Sequence, residues 1–172
     1  MTDFFATLND DLDSAEIKSS AFQATDTTDM SGRLVTALDA KRFALAGKST
    51  LTLVSKKTGA RFTYRVSSSP DGQCHFVALL SGPNNEQDYQ YLGRISRDVF
   101  WLGRKNPRLG DIGADAPSAI AFAWAWKAIV RDTIPDQLEI WHEGRCGRCN
   151  RKLTVPSSVA SGFGPECIDK IF

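Results

Sequence analysis

The spacing of three cysteines near the C-terminus constrains this chain more than any other feature. Cys146 and Cys149 enclose Gly147 and Arg148 in a Cys-x-x-Cys turn, and Cys167 follows after seventeen further residues. Such a turn lets two thiolates reach one ion, and a tetrahedral zinc ion asks for two more donors. Cys167 is the third, and His142, four residues before Cys146, is near enough to bend back as the fourth. The expected zinc ligands are therefore His142, Cys146, Cys149 and Cys167. His75, Cys74, Glu143 or a water molecule are the rivals for the fourth place. Loss of any ligand should cost much of the local fold, because a short zinc segment is stabilised largely by its metal.

The residues between the cysteines fit a treble-clef-like plan. Arg151-Lys152-Leu153-Thr154 reads as a short strand leaving the knuckle. Pro156 suits the first position of a helical turn that Gly162 ends, and Gly164-Pro165 open a second helix carrying Cys167. A redox cysteine pair would need a thioredoxin-like βαβ context, which the flanking pattern lacks. Zinc deaminases pair His-x-Glu with Pro-Cys-x-x-Cys. Here Glu143 directly follows His142 and Arg145 precedes Cys146, which argues against that chemistry.

Gly144-Arg145-Cys146-Gly147-Arg148-Cys149-Asn150-Arg151-Lys152-Leu153-Thr154, followed by Gly162-Phe163-Gly164-Pro165-Glu166-Cys167, resembles the C-terminal zinc knuckle of a family of small proteins of unknown function found in bacteriophages and other mobile elements. Phe43-Ala44-Leu45-Ala46-Gly47-Lys48, Ser55-Lys56-Lys57-Thr58-Gly59 and Ser81-Gly82-Pro83-Asn84-Asn85 resemble its upstream part, so the likeness spans roughly residues 43–172. It implies a phage-type origin and zinc, and no agreed activity.

The 172 residues suit one domain, and the 42% hydrophobic content supports a core. No run of apolar residues is long enough for a membrane span, and Met1-Thr2-Asp3-Phe4-Phe5 lacks the basic and apolar regions of a signal peptide. The expectation is a reducing, bacterial cytoplasmic location, no membrane partner, and metal rather than disulfides. The net charge of +1 is uneven. Residues 1–30 hold seven acids (Asp3, Asp10, Asp11, Asp13, Glu16, Asp26, Asp29) against Lys18, leaving twenty bases and thirteen acids downstream. This divides the chain into an acidic N-terminal arm (1–30), an α+β core (31–140) and a zinc knuckle (141–172) packed on the core. The arm is a solvated leader, or it binds a basic partner or mimics nucleic acid.

Within the arm, Phe4, Phe5, Leu8, Leu12 and Ile17 suggest a frail amphipathic helix over 2–18. A helix over about 31–41, capped by Ser31, is expected from Leu34, Val35 and Leu38. Gly47-Lys48-Ser49-Thr50 invites a phosphate-loop reading, but Arg42 stands where that motif needs glycine, and a strand pattern follows. Residues 50–56 and 60–69 read as a hairpin turned at Gly59. Cys74-Phe76-Ala78-Leu80, residues 89–95 and residues 98–101 extend it into an antiparallel meander, with Cys74 as a small buried residue. Residues 116–131 are apolar almost all round behind Pro117, so one long helix should cover the sheet. Its two tryptophans should pack in different directions, one on the sheet and one beneath the zinc segment or the arm. Leu138, Ile140 and His142 form a last strand running into the knuckle.

Arg145, Arg148, Arg151 and Lys152 on the knuckle, with Lys56, Lys57, Arg104 and Lys105 on the core, are the candidate nucleic-acid or partner contacts. Arg61, Arg65, Arg94 and Arg97, with tyrosines nearby, extend this cationic surface, and aromatics among bases suit single-stranded nucleic acid. A solvated sheet face explains the same pattern. With no nucleophile–base pair in view, the first expectation is a non-catalytic zinc module that binds nucleic acid. The alternative is a phage-encoded inhibitor of a host defence complex, anti-CRISPR-like, acting on a host nucleic-acid-binding protein.

Overall fold

The computed structural model describes residues 32–103 and 112–171. The acidic arm, its helix over 2–18, the Ser31 cap and the candidate contacts Arg104 and Lys105 lie outside the described residues. Seven antiparallel strands form one sheet in the order β1-β7-β2-β3-β4-β5-β6. They are β1 (Arg33–Leu34), β2 (Lys48–Ser55), β3 (Arg61–Ser68), β4 (His75–Leu80), β5 (Tyr89–Ser96), β6 (Val99–Leu102) and β7 (Leu138–His142). The helices are α1 (Ala37–Ala44), α2 (Pro117–Val130), α3 (Pro156–Ser161) and α4 (Pro165–Ile168). The architecture is α+β, and β2 to β6 form the expected meander.

Three helices, not one, touch the sheet: α1 meets β1, β2 and α2, α2 meets β2 and β6, and α3 meets β1. The expected helix over 31–41 is displaced. Leu34 pairs with Ile140 in an edge strand, and Thr36 caps α1 by accepting the Asp39 amide at 3.1 Å. Edge pairing buries Leu34 better than a helical turn would, while Val35 points to solvent. Lys48 begins a strand and no helix follows it, so the phosphate-loop reading fails on structure as well.

Strand alternation sorts the sheet into two faces. Leu51, Leu53, Tyr64, Val66, Val77, Ile95 and Ile140 face the helices and are buried. Phe122 of α2 meets Tyr64 and Phe100 at 4.8 Å between ring centroids and stacks on Trp126 at 6.4 Å. Tyr64 is fully buried and donates its hydroxyl to Ser118 O at 2.7 Å, which fixes the start of α2 on β3; burial holds that phenol far above its ordinary range. In β4 the buried face is that of Val77, and Phe76, Ala78 and Leu80 lie on the opposite face. Cys74 sits half-buried in the preceding turn, so it is not the core residue the alternation suggested.

The turn from β5 to β6 consists of Arg97 and Asp98, both at positive φ (51° and 63°). That backbone matches the twist of a two-residue hairpin, at a steric cost for any residue with a Cβ. Two anchors hold it: Lys41 Nζ of α1 reaches Asp98 Oδ2 at 2.8 Å, and Trp126 Nε1 donates to Asp98 O at 2.8 Å. Trp124 lies instead with Leu53, Phe62 and Leu138 at the other end of the sheet. The expectation that one tryptophan packs beneath the zinc segment or the arm falls partly on the arm, which lies outside the described residues.

Candidate metal centre

β7 lies one strand in from the sheet edge, between β1 and β2, and delivers the chain to the knuckle. Gly144, at φ +67°, turns it into a short ribbon. There the Cys146 amide donates to Arg151 O at 2.9 Å and the Leu153 amide to Gly144 O at 2.8 Å. At the tip the Asn150 amide closes on Cys146 O at 2.8 Å, with Asn150 itself at φ +62°. Pro156 starts α3, and Gly162 ends it in the left-handed conformation at φ +76°. Gly162 O then accepts the Gly147 amide at 3.1 Å, tying the ribbon tip to the end of α3. Gly164 precedes Pro165, and α4 carries Cys167 back towards the tip.

The sulfur atoms of Cys146, Cys149 and Cys167 all lie within 4.8 Å of one another. Thiolates on one tetrahedral ion at about 2.3 Å stand roughly 3.8 Å apart, so the trio can hold a metal ion with little movement. Cys146 and Cys167 are buried and Cys149 is exposed, which leaves an ion an approach from solvent. Burial pushes the Cys146 thiol up, but the backbone N–H groups of Cys149, Gly164 and Arg148 outweigh it and bring it to about 7. The Cys167 thiol is raised, by burial and then by its two sulfur neighbours, while the Arg148 side chain pulls the other way. Converging N–H groups and a guanidinium beside three sulfurs are what a thiolate cluster requires.

His142 does not join them. Alternation along β7 places Leu138, Ile140 and His142 on the core face, so the imidazole enters the interior. Its Nδ1 accepts the Gly144 amide at 3.1 Å, which leaves the ring proton on Nε2 to be donated to Val159 O at 2.7 Å. Burial lowers its pKa, and the Val159 carbonyl opposes that shift. Both nitrogens are thus engaged, Nε2 fastening α3 to β7, and His142 stands outside the cysteine trio. Among the described residues no histidine, aspartate or glutamate completes the cysteine trio.

Phe43 of α1 is the link from core to knuckle, and no local pattern around it marks it out. Fully buried, it lies 5.2 Å from the His142 ring and 5.8 Å from Phe163. A Cβ on Gly147 would stand 2.9 Å from its ring, and one on Gly162 would stand 2.7 Å away. Those two glycines therefore create the socket the ring fills. Leu34, Phe43, Cys146, Leu153, Phe163 and Cys167 belong to the same buried cluster as the sheet core.

The candidate contacts are dispersed. Arg148 lies beside Cys167, Arg145 donates to Asn150 O at 3.2 Å, and Arg151 and Lys152 are exposed on the ribbon. Lys56 approaches Glu139 at 3.8 Å, and Lys57 is exposed in the β2–β3 turn. The sheet face turned away from α1 and α2 gathers a different set. Arg33, Lys48, Arg61, Arg65 and Arg94 share it with Phe76, Tyr89, Tyr91, Trp101 and Trp141. Arg61, Arg65, Arg94 and the tyrosines were legible from strand parity. Arg33 and the two tryptophans required the register of β1, β6 and β7, and Lys48 the earlier start of β2. Trp101 is 56% exposed and Phe76 42%.

Among the described residues no helix is long and apolar enough to cross a membrane. No curated protein and no solved structure matches the chain. Residues 139–172, which hold the last strand and the whole cysteine cluster, match a family of unknown function (DUF6011). The match begins at β7, so the upstream likeness read over 43–138 has no counterpart in it, and the segment's similarity is to an uncharacterised family.

Proposed function

We propose that this protein is a non-catalytic, phage-type module in which zinc fastens the knuckle and the open sheet face binds single-stranded nucleic acid. The observation that carries the reading is the gathering, on one face, of five cations and five aromatic rings. Bases stack on exposed rings at about 1–3 kcal/mol each, and guanidinium and ammonium groups follow the phosphates. An all-sulfur trio favours a thiophilic ion, and zinc is the redox-inert choice with tetrahedral habit. Zinc bound there would hold Arg145, Arg148, Arg151 and Lys152 at the border of this face. The fourth coordination position falls to water or to a donor outside the described residues.

Fluorescence anisotropy with short oligothymidylate tests the reading. Affinity should fall linearly with log salt, at a slope near −0.7 per phosphate contacted. It should also drop at least tenfold on Trp101→Ala. An absence of binding at low salt, or binding indifferent to salt, would sink it. A protein partner in a host defence complex is the second reading, favoured by the exposed Phe76, Val99 and Trp101 near the β6 edge. It predicts a stable host protein in affinity capture, lost on Trp101→Ala, with no oligonucleotide affinity.

A further inference from the structure

Where β2 and β3 meet the knuckle, the open sheet face runs into a cleft of about 490 Å³. Lys48 and Arg65 from the sheet and Arg145 and Asn150 from the metal ribbon line it, facing Glu86 and Glu143. A backbone bond fixes its two walls together: the Lys48 amide donates to Gly147 O at 2.8 Å.

The cations are already positioned. Arg65 donates to Glu86 O at 3.1 Å and to Asn85 O at 3.4 Å, with its guanidinium 3.8 Å above the Tyr89 ring. Arg145 is steadied by Asn150 O. Lys48 makes no ion pair among the described residues.

We infer that this cleft is a phosphodiester subsite, which takes one backbone phosphate of a single strand between Lys48 and Arg145. The inference rests on the nucleic-acid reading and locates its anchor point. Three cations against two carboxylates leave one net positive charge, which suits a phosphodiester monoanion better than a terminal phosphate dianion. Three of the nine lining residues, Glu143, Arg145 and Asn150, belong to the knuckle side of the cleft, so metal occupancy and strand binding are coupled through Arg145 and Asn150.

The experiment is a salt titration of oligothymidylate affinity for the zinc-loaded full chain and for Lys48→Gln, Arg145→Gln and the double variant. Lys127→Gln on the exposed side of α2 controls for bulk charge, and zinc content and circular dichroism control for folding. Each single variant should lower the slope by about 0.7, and the double variant no further, because both cations share one phosphate. Lys127→Gln should leave the slope in place. Slopes unchanged in the cleft variants, or lowered equally by Lys127→Gln, overturn the subsite while the sheet-face reading stands. Failure of the unmodified protein to bind the oligonucleotide overturns both. Equal competition by inorganic phosphate and by oligonucleotide phosphate would assign the cleft to the free ion instead, and so overturns the inference.

Discussion

Substituting Phe43 and Gly162 together tests whether the knuckle is built around one ring. Phe43 is fully buried and touches His142 and Phe163, so Phe43→Ala should cost about 3–5 kcal/mol. Gly162→Ala meets two separate penalties. Its φ of +76° disfavours any Cβ by about 1–2 kcal/mol. The new methyl would also stand 2.7 Å from the Phe43 ring, and displacing a packed ring adds about 1–3 kcal/mol. In a Phe43→Ala background the second penalty vanishes and the first remains. Urea unfolding of the four zinc-loaded proteins should therefore show a coupling of about 1–3 kcal/mol, with Gly162→Ala milder when the ring is absent. Phe43→Leu serves as the background if alanine leaves too little folded protein to titrate. Additive costs, within about 0.5 kcal/mol, would refute the socket.

Trp126→Phe keeps the stack on Phe122 and removes the bond to Asp98 O; thermal melts should show a loss of about 1 kcal/mol, and no loss would mean the β5–β6 turn is held by Lys41 alone. His75 has its pKa lowered from 6.5 by burial, and its Nδ1 lies 2.9 Å from Ser68 Oγ. The unfolded chain then binds more protons than the folded one just below pH 6.5, so the stability contributed by the neutral ring is complete above that pH and is lost as pH falls towards the depressed value. Urea midpoints should decline through that window and decline less in His75→Gln; an identical decline in both would remove His75 from the account.

The meander was legible because β2 and β3 alternate cleanly on either side of Gly59, and α2 because Pro117 opens an unbroken apolar run. The cysteine trio was legible because ligand spacing is a short-range property. Long-range pairing was not. β1 is two residues long, and its partner Ile140 lies far away in sequence, so no local pattern separates it from a helix start. The same pairing moves His142 from the metal to the core, since only the register of β7 between β1 and β2 decides where its ring points. Arg97-Asp98 escaped notice as a tight hairpin because glycine or asparagine normally marks such a turn, and here α1 and α2 supply the restraint. Phe43 looked like any amphipathic helix residue until Gly147 and Gly162 were seen to make room for it.

Elemental analysis of the purified chain addresses the cysteine cluster itself. The account predicts close to one zinc per molecule, retained in His142→Gln and lost in Cys146→Ser, Cys149→Ser and Cys167→Ser alike, with residues 144–171 losing amide protection in hydrogen exchange as the metal leaves. A chain that is folded and metal-free after purification in zinc-supplemented medium would contradict it, as would zinc that survives loss of any two of these cysteines.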